Sequence, residues 1–313
     1  MGDGRRAGAM DLTDMVIVEE LEINSRRPYR EIADKLGLSV NAVHKRVLTM
    51  LERGTLHSFI TRLGMGMEPP VIATAFGHST APDLPATIAG LGRDDHTSQV
   101  VVATGNYIYF QWYLHDLGEL DDFMSMARSE AKISSPRVVF RTVKPPAGKE
   151  GSALSGLDWR LLDLLLNDSR RPVVDLAREL DVSTKTVKRR LARMEADGSV
   201  MYTTRFVPNA SHDMFSFFHT HLRGDLDRRE VVAHIMDRYK HRLIDATTLD
   251  SDPQMVLFSG WTKTMKELKE LRAELETEPS IESMFINIYF DTYFFDTWRE
   301  DLVRRRARET ARG

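Results

Sequence analysis

The chain has 313 residues, of which 42% are hydrophobic and 28% charged, with a net charge of −3 and no cysteine. No apolar run reaches the roughly eighteen residues a membrane span needs, and the lack of cysteine excludes a disulfide framework or a thiolate metal site, so a cytoplasmic protein with no membrane partner is expected. The length suits two to four small domains, and the opening MGDGRRAGAM reads as a frayed tail without the apolar core of a signal peptide.

The first periodic segment, around Ile17, Val18 and Leu21, predicts a helix capped by Asp11 or Thr13. Ser25-Arg26-Arg27-Pro28 ends it, because proline disfavours helix at the residue before it, and Pro28 opens a second helix over 29–36. After the turn Gly37-Leu38-Ser39, Ser39 can cap a third helix that runs to about Arg53, and Gly54 supplies its left-handed end. The alternating stretch 56–63 predicts a two-stranded wing. Behind it the pattern reads strand 71–76, helix 84–91, strand 98–102, a Thr104-Gly105-Asn106 turn, strand 107–114, helix 117–128 and strand 137–143. That order, βαββαβ, implies a ferredoxin-like sandwich with two helices on one face of a four-stranded antiparallel sheet.

The whole pattern then repeats. Residues 14–63 align without a gap on 158–207, with thirteen identities in fifty positions, where composition alone would match roughly one in fifteen. The second Ser-Arg-Arg-Pro is 169–172, the second turn is Asp181-Val182-Ser183, and Gly198 matches Gly54. Elements at 215–222, 229–239, 243–249, 255–261, 265–275 and 284–290 repeat βαββαβ. The expected divisions are 10–67 and 155–210 for the winged helices, 68–144 and 211–298 for the sandwiches, 145–154 for a Pro/Gly-rich linker, and 299–313 for a basic tail, disordered or weakly helical. The fold class is therefore α+β, a tandem repeat of winged helix-turn-helix and ferredoxin-like sandwich.

Positive charge sits in the repeated segments, with eight Lys/Arg against three Asp/Glu over 25–62 and nine against five over 169–205. A basic island on an acidic background suits a protein that meets phosphate with one face, so double-stranded DNA is the expected partner. The outward residues of the third helix are Val40, Asn41, His44 and Lys45 in one copy and Thr184, Lys185, Lys188 and Arg189 in the other, placed to meet base edges. Ser39 and Ser183 belong to the same candidate surface, while Arg26, Arg27, Arg62, Arg170, Arg171 and Arg205 are candidates for phosphate contacts. The repeat keeps Arg46/Arg190 and Arg26/Arg170 beside the turn serine, which favours nucleic acid over a merely solvated helical face or a protein-docking winged helix. Copy two carries more fixed charge and is expected to matter more.

In strand 107–114, Ile108, Phe110, Trp112 and Leu114 form the face for the helices, while Tyr107, Tyr109, Gln111 and Tyr113 form an aromatic second face. With the row Tyr289, Asp291, Tyr293 and Phe295, these tyrosines are expected to bury an interface. The halves would then pair within the chain as a pseudo-dimer, or between two chains as a homo-oligomer. His219 and His221 lie two apart on a strand, but no third ligand is fixed by sequence, so no metal is assigned. Nucleotide-binding and hydrolase motifs are absent, and neither an enzyme nor a cofactor is expected.

The residues Asp11-x-x-Asp14-x-x-Ile17, the stretch IADKLGLS, Arg46-Val47 and Glu52-Arg53-Gly54 resemble the amino-terminal domain of Lrp/AsnC transcription regulators. Thr104-Gly105-Asn106-Tyr107 with Asp116-Leu117-Gly118-Glu119-Leu120 looks like that family's RAM effector domain. The resemblance implies dimers formed through the sandwich sheets and an amino acid or other small effector, here near Thr104, Gly105 and Asn106. Asp250-Ser251-Asp252-Pro253 replaces the corresponding turn in copy two, so no effector is expected there. The layout is also similar to siroheme decarboxylases, whose His-Asn-Tyr motif and following Arg engage a tetrapyrrole. Asn106 and Tyr107 match that motif, but the His before them and the Arg after are missing.

Overall fold

The structure, a computed structural model, describes residues 9–143, 147–207, 210–224 and 226–311. The opening tail at 1–8, the start of the linker at 144–146 and the last two residues lie outside the described residues. The first half contains α1 (Leu12–Ile23), α2 (Tyr29–Leu36), α3 (Val40–Arg53), β1 (Leu56–Leu63), β2 (Val71–His78), α4 (Leu84–Leu91), β3 (Thr97–Ala103), β4 (Tyr107–Leu114), α5 (Leu120–Ser129) and β5 (Arg137–Thr142). The second half repeats the order as α6 (Gly156–Leu165), α7 (Val173–Glu179), α8 (Thr184–Ala196), β6 (Val200–Phe206), β7 (Met214–Leu222), α9 (Arg228–Arg238), β8 (Leu243–Thr248), β9 (Met255–Thr262), α10 (Met265–Glu276) and β10 (Ile281–Phe294). A last helix, α11 (Trp298–Ala311), closes the chain. No helix among the described residues is long and apolar enough to cross a membrane.

Local chemistry sets the helix limits. Asp11 and Asp14 form a reciprocal capping box at the start of α1, and Ser155 and Asp158 do the same for α6. Ser39 and Ser183 each accept a hydrogen bond from the amide three residues on, at 3.1 Å, opening α3 and α8. Gly54 and Gly198 take φ of +80° and +77°, the left-handed ends that their positions predict.

The strands after these glycines do not form one wing per copy. β1 pairs antiparallel with β6, Leu63 opposite Val200 and Thr61 opposite Tyr202, so a single two-stranded ribbon joins the two winged-helix units. Alternation predicts a strand but does not choose its partner, and here each copy supplies the other's edge. The cores follow the exchange: Leu63 packs with Leu161, Leu165 and Val187 of copy two, and Phe206 packs with Ile17, Val18 and Val43 of copy one.

Each βαββαβ half makes a four-stranded sheet, and β3 pairs with β10 to fuse them into one eight-stranded sheet of order β5-β2-β4-β3-β10-β7-β9-β8. The sequence pattern predicts strand only over 284–290, but β10 runs fourteen residues, pairing with β7 through Tyr289 and with β3 from there to Phe294. The helix-covered faces hold Ile108, Phe110, Trp112 and Leu114 with Phe123 and Leu91, and Phe218, Val256 and Phe258 with Leu271 and Leu275. The opposite faces turn toward each other, bringing Phe76, Tyr109 and Val139 against Leu249 and Met255. The outer edges also meet: the Asp250 amide donates to the Phe140 carbonyl at 2.9 Å, and Arg137 pairs with Asp252 at 2.6 Å. The pseudo-dimer is thus formed within the chain, by edge pairing as well as face packing.

The tyrosine rows divide. Tyr109 is buried against Phe217, its hydroxyl 2.5 Å from His219 Nε2 and accepting from Asn287 Nδ2 at 2.9 Å. Tyr107 packs against Phe76 and His78, and Tyr289 stacks on Phe217. Tyr113 instead faces Arg62, Thr203 and Glu300 beneath the winged helices. Tyr293 is exposed, because a register shift between Tyr289 and Asp291 moves the later residues of β10 to the other side of the sheet. The basic tail is corrected as well: α11 packs on α6 through Leu302 and Val303, and buried Arg299 donates to the Gly64 carbonyl at 2.8 Å and the Leu63 carbonyl at 3.1 Å.

Because the halves share one chain, loss of a contact between them should lower stability without changing mass. Tyr109→Phe leaves His219 Nε2 and the Asn287 amide without their partner in a buried setting, a cost of about 1–3 kcal/mol. The expected result is a lower melting temperature by calorimetry with unchanged molar mass by light scattering.

Candidate nucleic-acid interface and inner chamber

The third helices α3 and α8 are amphipathic. Val43, Val47 and Met50 face inward in α3, as do Val187, Leu191 and Met194 in α8. The opposite faces expose Val40, Asn41, His44 and Lys45, and Thr184, Lys185, Lys188 and Arg189, the residues expected from sequence. Among the described residues, Lys45, Lys185, Lys188 and Arg189 have no ion-pair partner in the chain, so their charge is free for an external anion. Ser39 and Ser183 are exposed, but their hydroxyls already cap the helices.

The arginines expected at phosphates are half-exposed and have partners within the chain. Ser25 and Ser169 hydroxyls hydrogen-bond each other at 2.6 Å in a buried position between the copies. Around them, Arg26 donates to the Ser169 carbonyl while Arg170 donates to the carbonyls of Ser25 (2.6 Å) and Arg27 (2.7 Å) and lies 4.1 Å over the Tyr29 ring. Arg27 pairs with Glu20, and Arg171 with Glu179 at 2.5 Å. Arg62 meets Glu300 at 2.6 Å, and Arg205 meets Asp296 at 2.7 Å. Hence Arg26, Arg27, Arg62, Arg170, Arg171 and Arg205 fasten the fold. The repetition of Arg26 and Arg170 reflects a two-fold-like junction that needs the same donor from each side. Arg46 and Arg190 likewise bind Asp14 (2.7 Å) and Asp158 (2.9 Å), fixing α3 to α1 and α8 to α6. Burial raises the Asp158 carboxyl, but hydrogen bonds from Ser155 and Arg190 outweigh it and hold the group below its ordinary value.

Thr104, Gly105 and Asn106 form a tight exposed turn between β3 and β4, with φ of +70° at Gly105 and +57° at Asn106. The Thr104 hydroxyl donates to the Ile288 carbonyl of β10 at 3.1 Å, and the His78 ring, 3.1 Å from the Gly105 carbonyl, closes on it from β2. These three residues do not line the cavity of about 440 Å³ between the two sheets and the winged-helix ribbon. That chamber is polar, walled by Glu22, Gln99, Gln111, Arg141, Asp245 and Tyr289, and sequence reasoning missed it because its walls come from separate elements. The Glu22 side chain is exposed into the chamber; desolvation by the chamber walls first, then Asp245 and Glu19, push its carboxyl up to about 7. Tyr289, half-buried beside Glu22 and Asp245, is pushed up by desolvation first and then by these two carboxylates.

His219 and His221 do not form a metal pair. Burial, with Arg137 and His221 nearby, drives His219 down to about 3, so the ring is neutral and its Nε2 shares a hydrogen bond with the Tyr109 hydroxyl, while His221 lies 3.4 Å from Arg137.

The AsnC-type helix-turn-helix domain matches this chain twice, at residues 10–51 and 154–195. The HTH-type transcriptional regulator LrpA of Pyrococcus horikoshii is 35% identical over 74 residues, 24% of this chain and 52%, about half, of that protein's length. The HTH-type transcriptional regulator Rv2324 of Mycobacterium tuberculosis is 30% identical over 128 residues, 40% of this chain and 86% of its own. Among solved structures, the siroheme decarboxylase NirDL overlays 96% of this chain and 99% of its own with a TM-score of 0.57 and 14% identity, a likeness of fold. Two helix-turn-helix units on two ferredoxin-like sandwiches define a duplicated winged-helix and ferredoxin-like protein. The chain belongs to the Lrp/AsnC family of DNA-binding transcription regulators.

Two measurements test these assignments. Arg170→Ala removes two charge-assisted hydrogen bonds at the junction and is expected to lower stability by about 2–4 kcal/mol in a thermal or denaturant melt. For Glu22 the folded value lies above its ordinary value of 4.5. Between pH 4.5 and about 7 the folded chain therefore retains a proton that the unfolded chain has lost, so this group's contribution worsens as pH rises and is fully unfavourable above about 7. Glu22→Gln should raise the melting temperature at pH 8 by about 2–4 °C, the effect of ~1 kcal/mol once water in the chamber is allowed for, and leave it unchanged at pH 4.5.

Proposed function

We propose that the chain regulates transcription by presenting α3 and α8 together to double-stranded DNA, with Asn41, His44, Lys45, Thr184, Lys185, Lys188 and Arg189 at the groove. The observation that carries this reading is the contrast in the basic segments: the junction arginines have partners inside the chain, whereas the cations on the outer faces of the third helices do not. The two helices offer different side chains, so the preferred site is not a perfect palindrome. Copy two, with Lys185, Lys188 and Arg189 against Lys45 alone, supplies more of the affinity. A small effector, an amino acid in the simplest form of the family reading, acts through the sandwiches at the Thr104–Asn106 turn or in the inner chamber.

Binding to its best genomic fragment should weaken steeply with salt, since each phosphate contact releases counterions. Lys188→Ala/Arg189→Ala should lose about 1–3 kcal/mol for each base contact removed and keep the parent melting temperature. Equal affinity of parent and double variant in a mobility-shift titration would refute the assignment to α8.

A second reading, a tetrapyrrole-acting enzyme, is favoured by one observation. Although the residue immediately before Asn106 is Gly105 and not histidine, His78 reaches the turn from β2 and lies edge-on to Tyr107 at 4.9 Å, which supports a base at the place where the decarboxylase motif has one. Anaerobic incubation with siroheme, followed by mass spectrometry for loss of carbon dioxide, separates the two readings.

A further inference from the structure

On the side of the first sandwich away from the inner chamber, three elements bring two imidazoles and a carboxylate together. His96 lies just before β3, His115 just after β4, and Glu119 in the short turn that leads into α5. Their ligand atoms lie within 4.8 Å of one another. Glu119 reaches His115 Nδ1 with one oxygen at 2.9 Å and His96 Nε2 with the other at 3.7 Å. A tetrahedral cation with bonds of about 2.0–2.1 Å holds its ligands about 3.3 Å apart, so small side-chain rotations close the set.

We propose that His96, His115 and Glu119 bind one divalent transition-metal cation of the zinc type, through His96 Nε2, His115 Nδ1 and a Glu119 oxygen, with water completing the coordination. Three features beyond the clustering support the site. The other nitrogen of His96 lies 3.2 Å from Asp94 and 3.1 Å from Asp95, the carboxylate–histidine arrangement that fixes the tautomer of a metal ligand and increases its basicity. The His115 ring is held by stacking on Trp298 at 4.3 Å, and the His96 ring packs on Trp112 at 5.0 Å, so both imidazoles are pre-oriented. Among the described residues no Lys or Arg pairs with Asp94, Asp95 or Glu119, which leaves three carboxylates beside two imidazoles without a fixed positive charge. A dication meets that imbalance, and the nitrogen-rich set favours zinc, nickel or cobalt over magnesium or calcium.

The site also has a route to the winged helices. Trp298, stacked on His115, donates from its backbone amide to the Asp95 carbonyl and from Nε1 to the Tyr113 carbonyl, both at 2.7 Å. It is the first residue of α11, whose next residue, Arg299, holds the end of β1 and whose body packs on α6. Metal binding therefore braces the start of the helix that links the first sandwich to the second winged helix.

The test is calorimetric titration of the full chain, stripped with EDTA, with Zn2+ alone, paralleled by Co2+ absorption. The expected result is one equivalent per chain, with the intense visible bands of four-coordinate cobalt and a Zn2+-dependent rise in melting temperature. His115→Gln/Glu119→Gln should weaken binding at least ~100-fold, and Asp94→Asn about 10–100-fold, the range for a second-layer partner. His57→Gln, on β1 outside the cluster, should bind like the parent. Melting in EDTA identifies any variant that fails to fold; if the double variant does, His96→Gln takes its place. No saturable binding by the parent, or equal binding by parent and folded ligand variants, overturns the proposal.

Discussion

The pairing of β1 with β6 governs this molecule. A strand that follows a recognition helix in a small winged unit has one edge to satisfy, and here each copy satisfies the other's. The consequences propagate through backbone hydrogen bonds: the Ser25 amide donates to the Tyr202 carbonyl and the Ser169 amide to the Phe59 carbonyl, each at 3.0 Å, so each unit's first helix is anchored on the other's strand. The Ser25–Ser169 contact then lies on an approximate two-fold axis, and Arg26 and Arg170 cross it in opposite directions. Neither winged helix has a complete core without the other.

That exchange accounts for which charges remain available. A guanidinium that donates to buried carbonyls cannot be withdrawn to a phosphate without leaving those carbonyls unpaired, at about 1–3 kcal/mol each. Arg26 and Arg170 are therefore tied to the junction, whereas positions where the copies differ, such as Asn41/Lys185 and His44/Lys188, are exposed. Repetition within the chain marks the shared frame, and divergence marks the exposed faces of α3 and α8.

The same distinction explains what could be read from the sequence. Capping residues, left-handed glycines, the inward faces of α3 and α8 and the βαββαβ order depend on neighbours within a few positions, and they are visible in the chain. The partner of β1, the second half of β10 and the docking of α11 depend on residues distant in sequence, such as Leu63 with Val200, Tyr289 with Ala103 and Arg299 with Leu63. The aromatic row of β10 fails at one register shift, since a period of two carries any slip to every later residue. The exposed faces of the third helices were legible from amphipathicity. The inner chamber was not, because Glu22, Asp245 and Tyr289 come from a helix and two strands that only the fold brings together. At the His115–Glu119 cluster, four-residue spacing was visible, but His96 arrives only through the β3–β4 pairing, where its carbonyl accepts from the Tyr113 amide.

A fused head constrains how any signal from the sandwiches can act. Moving α3 relative to α8 would require breaking the β1–β6 ribbon and opening both winged-helix cores, far more than a small ligand supplies. A signal acts instead on the head as a unit, through the few places where it meets the sandwiches. One is the knot at the end of β10, where Asp296 accepts from Arg205 at 2.7 Å and pairs with Arg62 and Arg304, while Glu300 holds Arg62 and caps Thr297. Burial raises the Asp296 carboxyl, but its arginine partners outweigh that and hold it charged. Another is Arg299, which fixes the carbonyls of Leu63 and Gly64 from the same helix. Both lie within one turn of Trp298, so this short helix start joins the first sandwich to the head. A displacement there would carry α3 and α8 together and leave their mutual spacing intact, because the β1–β6 ribbon joins them.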